Sequence, residues 1–192
     1  MRMLRALDRR PKPWKDGGGV TTEIAIGPVG ASLETFDWRI SLALVASDGP
    51  FSMFDGIDRT LAVIEGDGLE LTVADRPAVT LNRGSEPLSF PGDVSTCARL
   101  SEDVITDLNV MTRRGRFNHS LLRVLQPTNF MFDSDDIAIV LAIGGSAEVI
   151  LPHRRLTLNS ADAVLIANSD TATFEINPAG DCYLIWLQAN AN

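Results

Sequence analysis

The sequence predicts an all-β fold that is built from two similar halves. Apolar residues mostly alternate with polar ones or form short continuous runs, and Gly, Pro, Asn and Asp separate these runs. Short strands bounded by turn residues are typical of β-sandwiches and β-barrels. No stretch of ten or more residues carries an apolar stripe at helical spacing, so we expect no helix longer than a turn or two. The segments with the clearest strand pattern are residues 38–43, 61–64, 69–73, 138–143, 147–151 and 183–187.

A pattern that recurs 77 residues further along the chain indicates the two halves. The related positions are Thr80-Leu81-Asn82 and Thr157-Leu158-Asn159, Gly68 and Gly145, Val73 and Ile150, and Leu88 and Leu165. Both copies read as a glycine turn, a strand, a short loop, a Thr-Leu-Asn turn and another apolar strand. This agreement in element order favours a duplication, and the period is too long for a solenoid repeat. We expect an N-terminal half at residues 1–118 and a C-terminal half at 119–192, as two small barrels or two halves of one sandwich.

Composition and charge limit the classes of partner. The chain has 192 residues, 45% of them hydrophobic, and a mean hydropathy of +0.08, which is typical of a soluble globular protein with a sizeable core. Its formal net charge is -8, whereas binding to nucleic acid needs clustered Lys and Arg. The one dense basic run, at residues 113–116, is interpreted as a solvated turn. We therefore expect no nucleic-acid partner.

The termini and cysteines predict a cytoplasmic protein. The first five residues carry charge but no apolar run follows them, so the pattern of a signal peptide is missing. Nothing approaches the ~20 apolar residues of a membrane helix, and no membrane partner is expected. Cys97 and Cys182 are far apart in apolar surroundings, which favours two buried free thiols in a reducing compartment.

Histidine is too scarce for a typical metal site. His119 and His153 are the only two histidines, one in each predicted half. Transition-metal sites in β-barrels usually combine several imidazoles with a carboxylate. We therefore expect neither a metal nor another cofactor.

The first candidate site segment is residues 13–23. It combines an aromatic residue, a cation, three glycines and an acid, which are Trp14, Lys15, Gly17, Gly18, Gly19 and Glu23. Consecutive glycines carry an entropic cost, so either their N–H groups approach a ligand or the segment is a flexible arm or a packed turn. The segment is no P-loop, because the Gly-Lys-Ser/Thr that ends such a loop is missing.

Three further segments supply polar residues. In the strand at 38–43, Trp38 faces one way, and Arg39 and Ser41 face the other, which is either solvent or the polar wall of a cavity. Asp58 and Arg59 directly precede an apolar strand. Either they pair with each other, or Arg59 pairs with Glu23, or the planar guanidinium binds a ligand carboxylate.

The last segment, residues 107–115, has a mixed strand face. Asp107, Asn109 and Met111 share that face by alternation. A face of acid, amide and thioether is unusual for a plain core and suits the lining of a small polar pocket.

Together these segments resemble the HutD/Ves family. The family's opening pattern, Pro-Trp-Lys-Asn-Gly-Gly-Gly-x-Thr-Arg-Glu-Ile-Ala, is matched at residues 13–25, with Asp16 for Asn and Thr22 for Arg. Asp-Trp-Arg-Ile-Ser-x-Ala is matched at 37–43. Asp-Gly-Pro-Phe-Ser-x-Phe-x-Gly-Ile-Asp-Arg is matched at 48–59, with Asp55 in place of the family's Pro. Residues 90–93 and 107–115 complete a resemblance that covers roughly the first 115 residues.

The resemblance implies a bicupin fold, with two cupin-like barrel or sandwich halves in one compact unit. Some family members are encoded with the enzymes of histidine utilisation and are thought to limit that pathway by binding urocanate or formylglutamate. Others belong to a stress-associated branch with no clear activity. Thr22, in place of the family's Arg, removes one possible contact to an anionic ligand.

The leading hypothesis is a metal-independent protein that binds a small carboxylate. The predicted ligand-binding residues are Trp14, Lys15, Gly17, Gly18, Gly19, Glu23, Trp38, Arg39, Ser41, Asp58, Arg59, Asn109 and Met111. The rival hypothesis is a metal-free isomerase or lyase, with Glu23 or Asp58 as general base. A pure protein-interaction module is the third hypothesis, and edge strands could support a homodimer.

Overall fold

The computed structural model describes residues 1–15, 17–133 and 136–190, and these residues form an all-β protein, as predicted. They contain nineteen strands and a single turn of 3-10 helix at Ala6–Asp8. In the described ranges, no helix is long and apolar enough to cross a membrane. The strands are β1 (Arg2–Leu4), β2 (Pro11–Pro13), β3 (Gly19–Gly27), β4 (Trp38–Val45), β5 (Gly49–Pro50), β6 (Ile57–Glu65), β7 (Leu69–Val73), β8 (Val79–Leu81), β9 (Leu88–Pro91), β10 (Thr96–Leu100), β11 (Ile105–Arg113), β12 (Phe117–Val124), β13 (Thr128–Met131), β14 (Ile137–Ile143), β15 (Ala147–Leu151), β16 (Arg154–Leu158), β17 (Ala163–Ala167), β18 (Thr173–Pro178) and β19 (Asp181–Ala189).

The chain divides into two compact units. Arg10–Arg114 form the N-terminal unit, and Met1–Arg9 together with Gly115–Asn192 form the C-terminal unit. The first nine residues join the C-terminal unit because β1 pairs with β17 in an antiparallel manner. The division into domains at residues 118 and 119 stays a prediction.

The N-terminal unit consists of two antiparallel sheets. Their strand orders are β2-β3-β4-β11-β6-β9 and β5-β10-β7-β8. A buried apolar cluster draws side chains from both sheets, among them Leu61 and Val63 on β6, and Leu69 and Leu71 on β7. The two sheets therefore pack face to face, and the odd-numbered residues of β6 point between them.

The C-terminal unit repeats this topology. Its sheets have the orders β1-β17-β14-β19-β12 and β13-β18-β15-β16. In the larger sheet, the order β4-β11-β6-β9 of the N-terminal unit corresponds to β12-β19-β14-β17 of the C-terminal unit. In the smaller sheet, the order β5-β10-β7-β8 corresponds to β13-β18-β15-β16. The shared strand order is what the 77-residue repeat predicts. Each unit is a sandwich rather than a closed barrel, because no strand pairing among the described residues joins its two sheets.

Both cysteines are free, as expected, but only Cys182 is buried. Cys97 is exposed, so the prediction of two buried thiols is wrong for this residue. Cys97 lies on β10, whose burial alternates, and it occupies an outward position there.

Candidate functional site

A cavity of about 480 Å³ lies in the N-terminal unit. Its floor is formed by three neighbouring strands, β4, β11 and β6, and its upper part by the segments that precede β3 and β6. The lining residues are Pro13, Trp14, Lys15, Thr21, Leu33, Arg39, Ser41, Ala43, Pro50, Phe51, Ser52, Phe54, Arg59, Asp107, Asn109 and Met111.

The strand register determines which side chains meet on the cavity floor. On β11, Asn109 lies between Ser41 of β4 and Leu61 of β6. Met111 lies one step further along the same face, between Arg39 and Arg59. Since side chains alternate along a strand, Asp107 also points to this side. The sequence alternation thus correctly places Asp107, Asn109 and Met111 on one face, and all three line the cavity.

Arg59 is the buried cation of the site, with 7% of its surface exposed. Its Nη2 donates a hydrogen bond of 2.7 Å to Asn109 Oδ1, and its Nη1 donates one of 3.3 Å to the carbonyl of Ser52. Its Nε is buried without a partner. Burial lowers the pKa of Arg59 to about 10, the charge of Asp107 opposes this shift, and Arg39 adds to it. The guanidinium therefore remains charged at neutral pH.

Three aromatic rings surround the Arg59 guanidinium. The ring centroids of Phe51, Phe90 and Phe54 lie 5.0, 5.3 and 5.9 Å from the Arg59 Cζ atom. At these distances a cation is attracted by the ring quadrupole. The rings also restrict the positions that the guanidinium can take.

Asp107 is the buried acid of the site and has no exposed surface. Its Oδ1 accepts a hydrogen bond from Asn109 Nδ2, and its Oδ2 is buried without a partner. Burial raises the pKa of Asp107 to about 7, against the opposing effects of the Arg59 charge and the Asn109 hydrogen bond. Near neutral pH this carboxyl group is therefore poised between its acid and its carboxylate form.

Arg39 is the second guanidinium of the cavity. Its Nε lies 3.0 Å from Glu23 Oε2, and the two side chains are 11% and 33% exposed. Asp58 forms an ion pair with Arg114 at 2.9 Å, on the strand face opposite to Arg59. Among the described residues, neither of the two ion pairs considered for Arg59, with Asp58 or with Glu23, is formed.

The glycine segment packs against Trp14 and not against the cavity. Trp14 Nε1 donates a 2.7 Å hydrogen bond to Thr21 Oγ1, and the Trp14 N–H donates to the carbonyl of Gly19 at 2.9 Å. A Cβ on Gly19 would overlap the carbonyl of Leu44 and lie 3.0 Å from the Trp14 ring. Gly17 has a φ of +76°. Turn geometry and a close approach thus explain two of the glycines without a ligand, and Asp16 lies outside the described residues.

The structure brings together some of the predicted site residues and not others. Those that line the cavity are Trp14, Lys15, Arg39, Ser41, Arg59, Asn109 and Met111. Those that do not are Gly17, Gly18, Gly19, Glu23, Trp38 and Asp58. Trp38 is buried on the opposite side of β4. Its indole packs directly on Gly27, where it fills the space that a Cβ would need. Glu23 reaches the site only through its ion pair with Arg39.

Several lining residues were not among the predicted ones. Asp107 was recognised as part of a mixed face but not as a site residue, although an acid in a strand segment that also carries Ile105, Leu108 and Val110 is a usable signal. Phe51, Ser52 and Phe54 belong to the family-like segment that leads into Arg59, so that motif could have indicated them. Leu33 lies in the loop between β3 and β4, and the sequence contains no signal for its position.

The donor set of the cavity does not fit a transition metal. Its lining supplies one carboxylate, one amide, hydroxyls and three cationic side chains, with neither imidazole nor thiol. No group of three or more His, Cys, Asp or Glu that could hold a metal occurs within residues 1–15, 17–133 and 136–190. Transition-metal centres in proteins are built from several such ligands, and the lining of this cavity contributes only Asp107 to a set of that kind.

At the equivalent place of the C-terminal unit, the described residues carry an acid and an indole instead of a guanidinium and an amide. Ala138 pairs with Trp186 across β14 and β19, as Leu61 pairs with Asn109 across β6 and β11. With the 77-residue offset of the repeat, Asp136 corresponds to Arg59 and Trp186 corresponds to Asn109. Trp186 Nε1 donates a 2.7 Å hydrogen bond to Asp136 Oδ2, and the indole packs on Phe132 with 4.8 Å between ring centroids.

Two sandwiches that share the order of eight strands, one with a polar cavity and one with an aromatic interior, define a bicupin-type protein. Comparison with solved structures agrees: HutD from Pseudomonas fluorescens SBW25, determined in a formate condition, is similar over 99% of both chains, with a TM-score of 0.86 and 29% identity. A conserved protein of unknown function from Pseudomonas aeruginosa PAO1 has a TM-score of 0.84 and 28% identity, covering 99% of this chain and 98% of that one. Oxalate decarboxylase from Bacillus subtilis shares the fold alone, at 9% identity and a TM-score of 0.65.

The chain belongs to the HutD family, whose sequence model matches residues 6–184. An uncharacterised 21.2 kDa protein from the region 3' of hutC in Pseudomonas putida is 31% identical over 156 residues, which is 81% of this chain and 80% of the relative. Protein Ves from Citrobacter koseri is 37% identical over 147 residues, 74% of each chain.

Proposed function

We propose that the N-terminal unit binds a small carboxylate in the cavity, and that the protein limits histidine utilisation through this binding. The observation that carries the proposal is the buried guanidinium of Arg59 beside a cavity of about 480 Å³. Cavities of about 300–1,000 Å³ are typical of sites for small molecules.

The charge balance of the cavity supports an anionic ligand. A buried cation is unfavourable unless an opposite charge compensates it. The two hydrogen-bond partners of Arg59 are a neutral amide and a neutral carbonyl. Burial raises the pKa of Asp107 to about 7, which weakens the negative charge that this acid can offer Arg59 near neutral pH. Arg39 and Lys15 add positive charge to the lining. A ligand carboxylate supplies the missing negative charge.

Preorganisation supports the same assignment. Because the rings of Phe51, Phe54 and Phe90 restrict the Arg59 side chain, binding loses little side-chain entropy. An arginine held in this way presents its donors in a fixed plane that matches a carboxylate. Trp14, Phe51 and Met111 supply the apolar surface against which the rest of the ligand packs.

The connection with histidine utilisation rests on relatives. The Pseudomonas putida relative is encoded 3' of hutC, and the similar structure from Pseudomonas fluorescens is a HutD protein. Urocanate and formylglutamate are acidic intermediates of that pathway, and each carries at least one carboxylate. We therefore take these two compounds as the first ligands to test.

A second candidate function is an isomerase or lyase acting on a small acidic metabolite. The observation that favours it is Asp107, because a buried carboxyl group with a pKa of about 7 is suited to general acid–base chemistry. Glu23 and Asp58, the bases that the sequence suggested, instead form ion pairs with arginines.

Nuclear magnetic resonance of the ligand distinguishes the two functions. Urocanate and formylglutamate are incubated separately with the protein, and line broadening and product signals are followed over hours. Saturable broadening without product supports the binding protein, whereas product formation that is lost in Asp107→Asn supports the enzyme. If neither ligand is broadened or converted, the assignment to these two intermediates is wrong.

A further inference from the structure

Asp107 has a feature that carboxylate binding by Arg59 does not use. Its Oδ2 is the only carboxylate oxygen among the described residues that is fully buried without a hydrogen-bond partner. Buried polar groups are nearly always hydrogen-bonded, so an exception needs an explanation. Since Asp107 lines the cavity, a ligand is the natural partner.

The hydrogen bonds around Asn109 fix which oxygen of Asp107 remains available. Arg59 can only donate, so the oxygen of the Asn109 amide must face Arg59. The amide nitrogen then faces Asp107 and donates to its Oδ1. This chain from Arg59 through Asn109 to Asp107 leaves Oδ2 as the free atom of the carboxyl group.

We propose that Asp107 binds the ligand as a neutral acid, with the Oδ2 hydroxyl donating a hydrogen bond to the same carboxylate that Arg59 binds. The inference rests on the proposed function. It adds that binding takes up a proton, which remains on Asp107 Oδ2 in the complex, and that the recognised group is an anion with two acceptor oxygens.

The charged groups around the cavity favour this arrangement. They are Arg59 on β6, Arg39 on β4 with its partner Glu23 on β3, and Lys15 after β2. An ionised Asp107 would repel an incoming carboxylate in this poorly solvated place, whereas a protonated one donates to it. Burial already holds the pKa of Asp107 at about 7, so protonation near neutral pH requires little free energy, and a neighbouring anion raises the pKa further.

The test is calorimetric titration with formylglutamate at pH 5.5, 7.0 and 8.5, in two buffers of different ionisation enthalpy. Ordinary carboxyl groups have a pKa near 4, so this probe keeps its charge across the range. If the pKa of Asp107 is about 7 in the free protein and well above 8.5 in the complex, affinity falls about 30-fold from pH 5.5 to 8.5. Proton uptake then approaches one per ligand at pH 8.5.

The matched variant is Asp107→Asn, whose amide nitrogen donates to the ligand at every pH. We expect it to bind with the affinity that the unchanged protein has at pH 5.5, without proton uptake and without dependence on pH. An affinity that rises with pH, accompanied by proton release, would show that ionised Asp107 accepts a hydrogen bond from the ligand, and would overturn the inference.

Failure of the inference and failure of the proposed function give different results. Binding that requires Arg59 but is independent of pH overturns the role of Asp107 and leaves carboxylate binding in place. A pH dependence that persists in Asp107→Asn has the same meaning. Absence of binding at all three pH values, or binding that Arg59→Gln does not weaken, overturns both.

Discussion

Arg59 donates a 2.7 Å hydrogen bond to Asn109 across the neighbouring strands β6 and β11, and Trp186 forms a bond of the same length with Asp136 at the repeated positions of the other unit. The direction of the hydrogen bond is reversed between the copies: Arg59 on β6 is a donor, whereas Asp136, directly before β14, is an acceptor. The amide is replaced by an indole that packs on Phe132. At these positions the N-terminal unit has a polar cavity and the C-terminal unit has packed aromatic rings.

The aromatic interior of the C-terminal unit should be structural. We expect Trp186→Ala to lower the free energy of unfolding by about 2–4 kcal/mol, since it removes a large partly buried side chain that also packs near Phe174. Trp186→Phe keeps the packing and loses the bond to Asp136, so it should cost about 1–2 kcal/mol. Urea unfolding measures both, and equal effects of the two substitutions would contradict this account.

Asp107 should make stability depend on pH. Its pKa is raised by burial to about 7, so the folded state binds a proton that the unfolded state releases near pH 4. Stability is therefore greatest below pH 4 as far as this group is concerned, and falls as pH rises to about 7, by up to about 4 kcal/mol.

The matched measurement uses Asp107→Asn, which has no charge to bury. Urea unfolding at pH 5 and pH 8 should show a smaller loss of stability across this range in the variant than in the unchanged protein. If the free energy of unfolding falls by the same amount in both proteins between these pH values, burial does not disfavour the ionised form of Asp107. The pKa of Asp107 is then not raised in the folded state.

A side chain at position 19 should destabilise the fold, because the space that a Cβ would need is already filled. A Cβ there overlaps the carbonyl of Leu44 and lies close to the Trp14 ring, so Gly19→Ala should cost about 1–3 kcal/mol and shift Trp14 at the cavity. Gly49→Ala is the control, because nothing lies within 4 Å of its Cβ position. Thermal unfolding and tryptophan fluorescence report the two effects, and an unchanged spectrum in Gly19→Ala would contradict the contact.

The sequence predicted those features that depend on local alternation. The all-β class, the two copies and the shared face of Asp107, Asn109 and Met111 follow from period-two patterns and a repeat, and the structure agrees with each. Arg39 and Ser41 likewise face the cavity. Because side chains alternate between the two faces of a strand, the face on which a residue lies can be predicted from a single sequence.

Contacts between distant segments could not be predicted in the same way. The pairing of Asp58 with Arg114 and of Glu23 with Arg39 depends on strand order and register, which alternation leaves undetermined. The three glycines suggested a ligand contact, but Gly19 instead makes room for Trp14 and Leu44. A sequence signal for close backbone approach does not tell which atom approaches.

Calorimetry of Arg59→Ala with formylglutamate and with urocanate determines whether Arg59 binds the carboxylate of a ligand, as we propose. Arg155→Ala is the control for loss of charge, because this arginine lies in the C-terminal unit with 62% of its side chain exposed. We expect Arg59→Ala to weaken binding by about 1.5–3 kcal/mol, or roughly 10- to 150-fold, while Arg155→Ala binds as the unchanged protein does. Equal affinities for all three proteins would show that Arg59 does not bind the carboxylate.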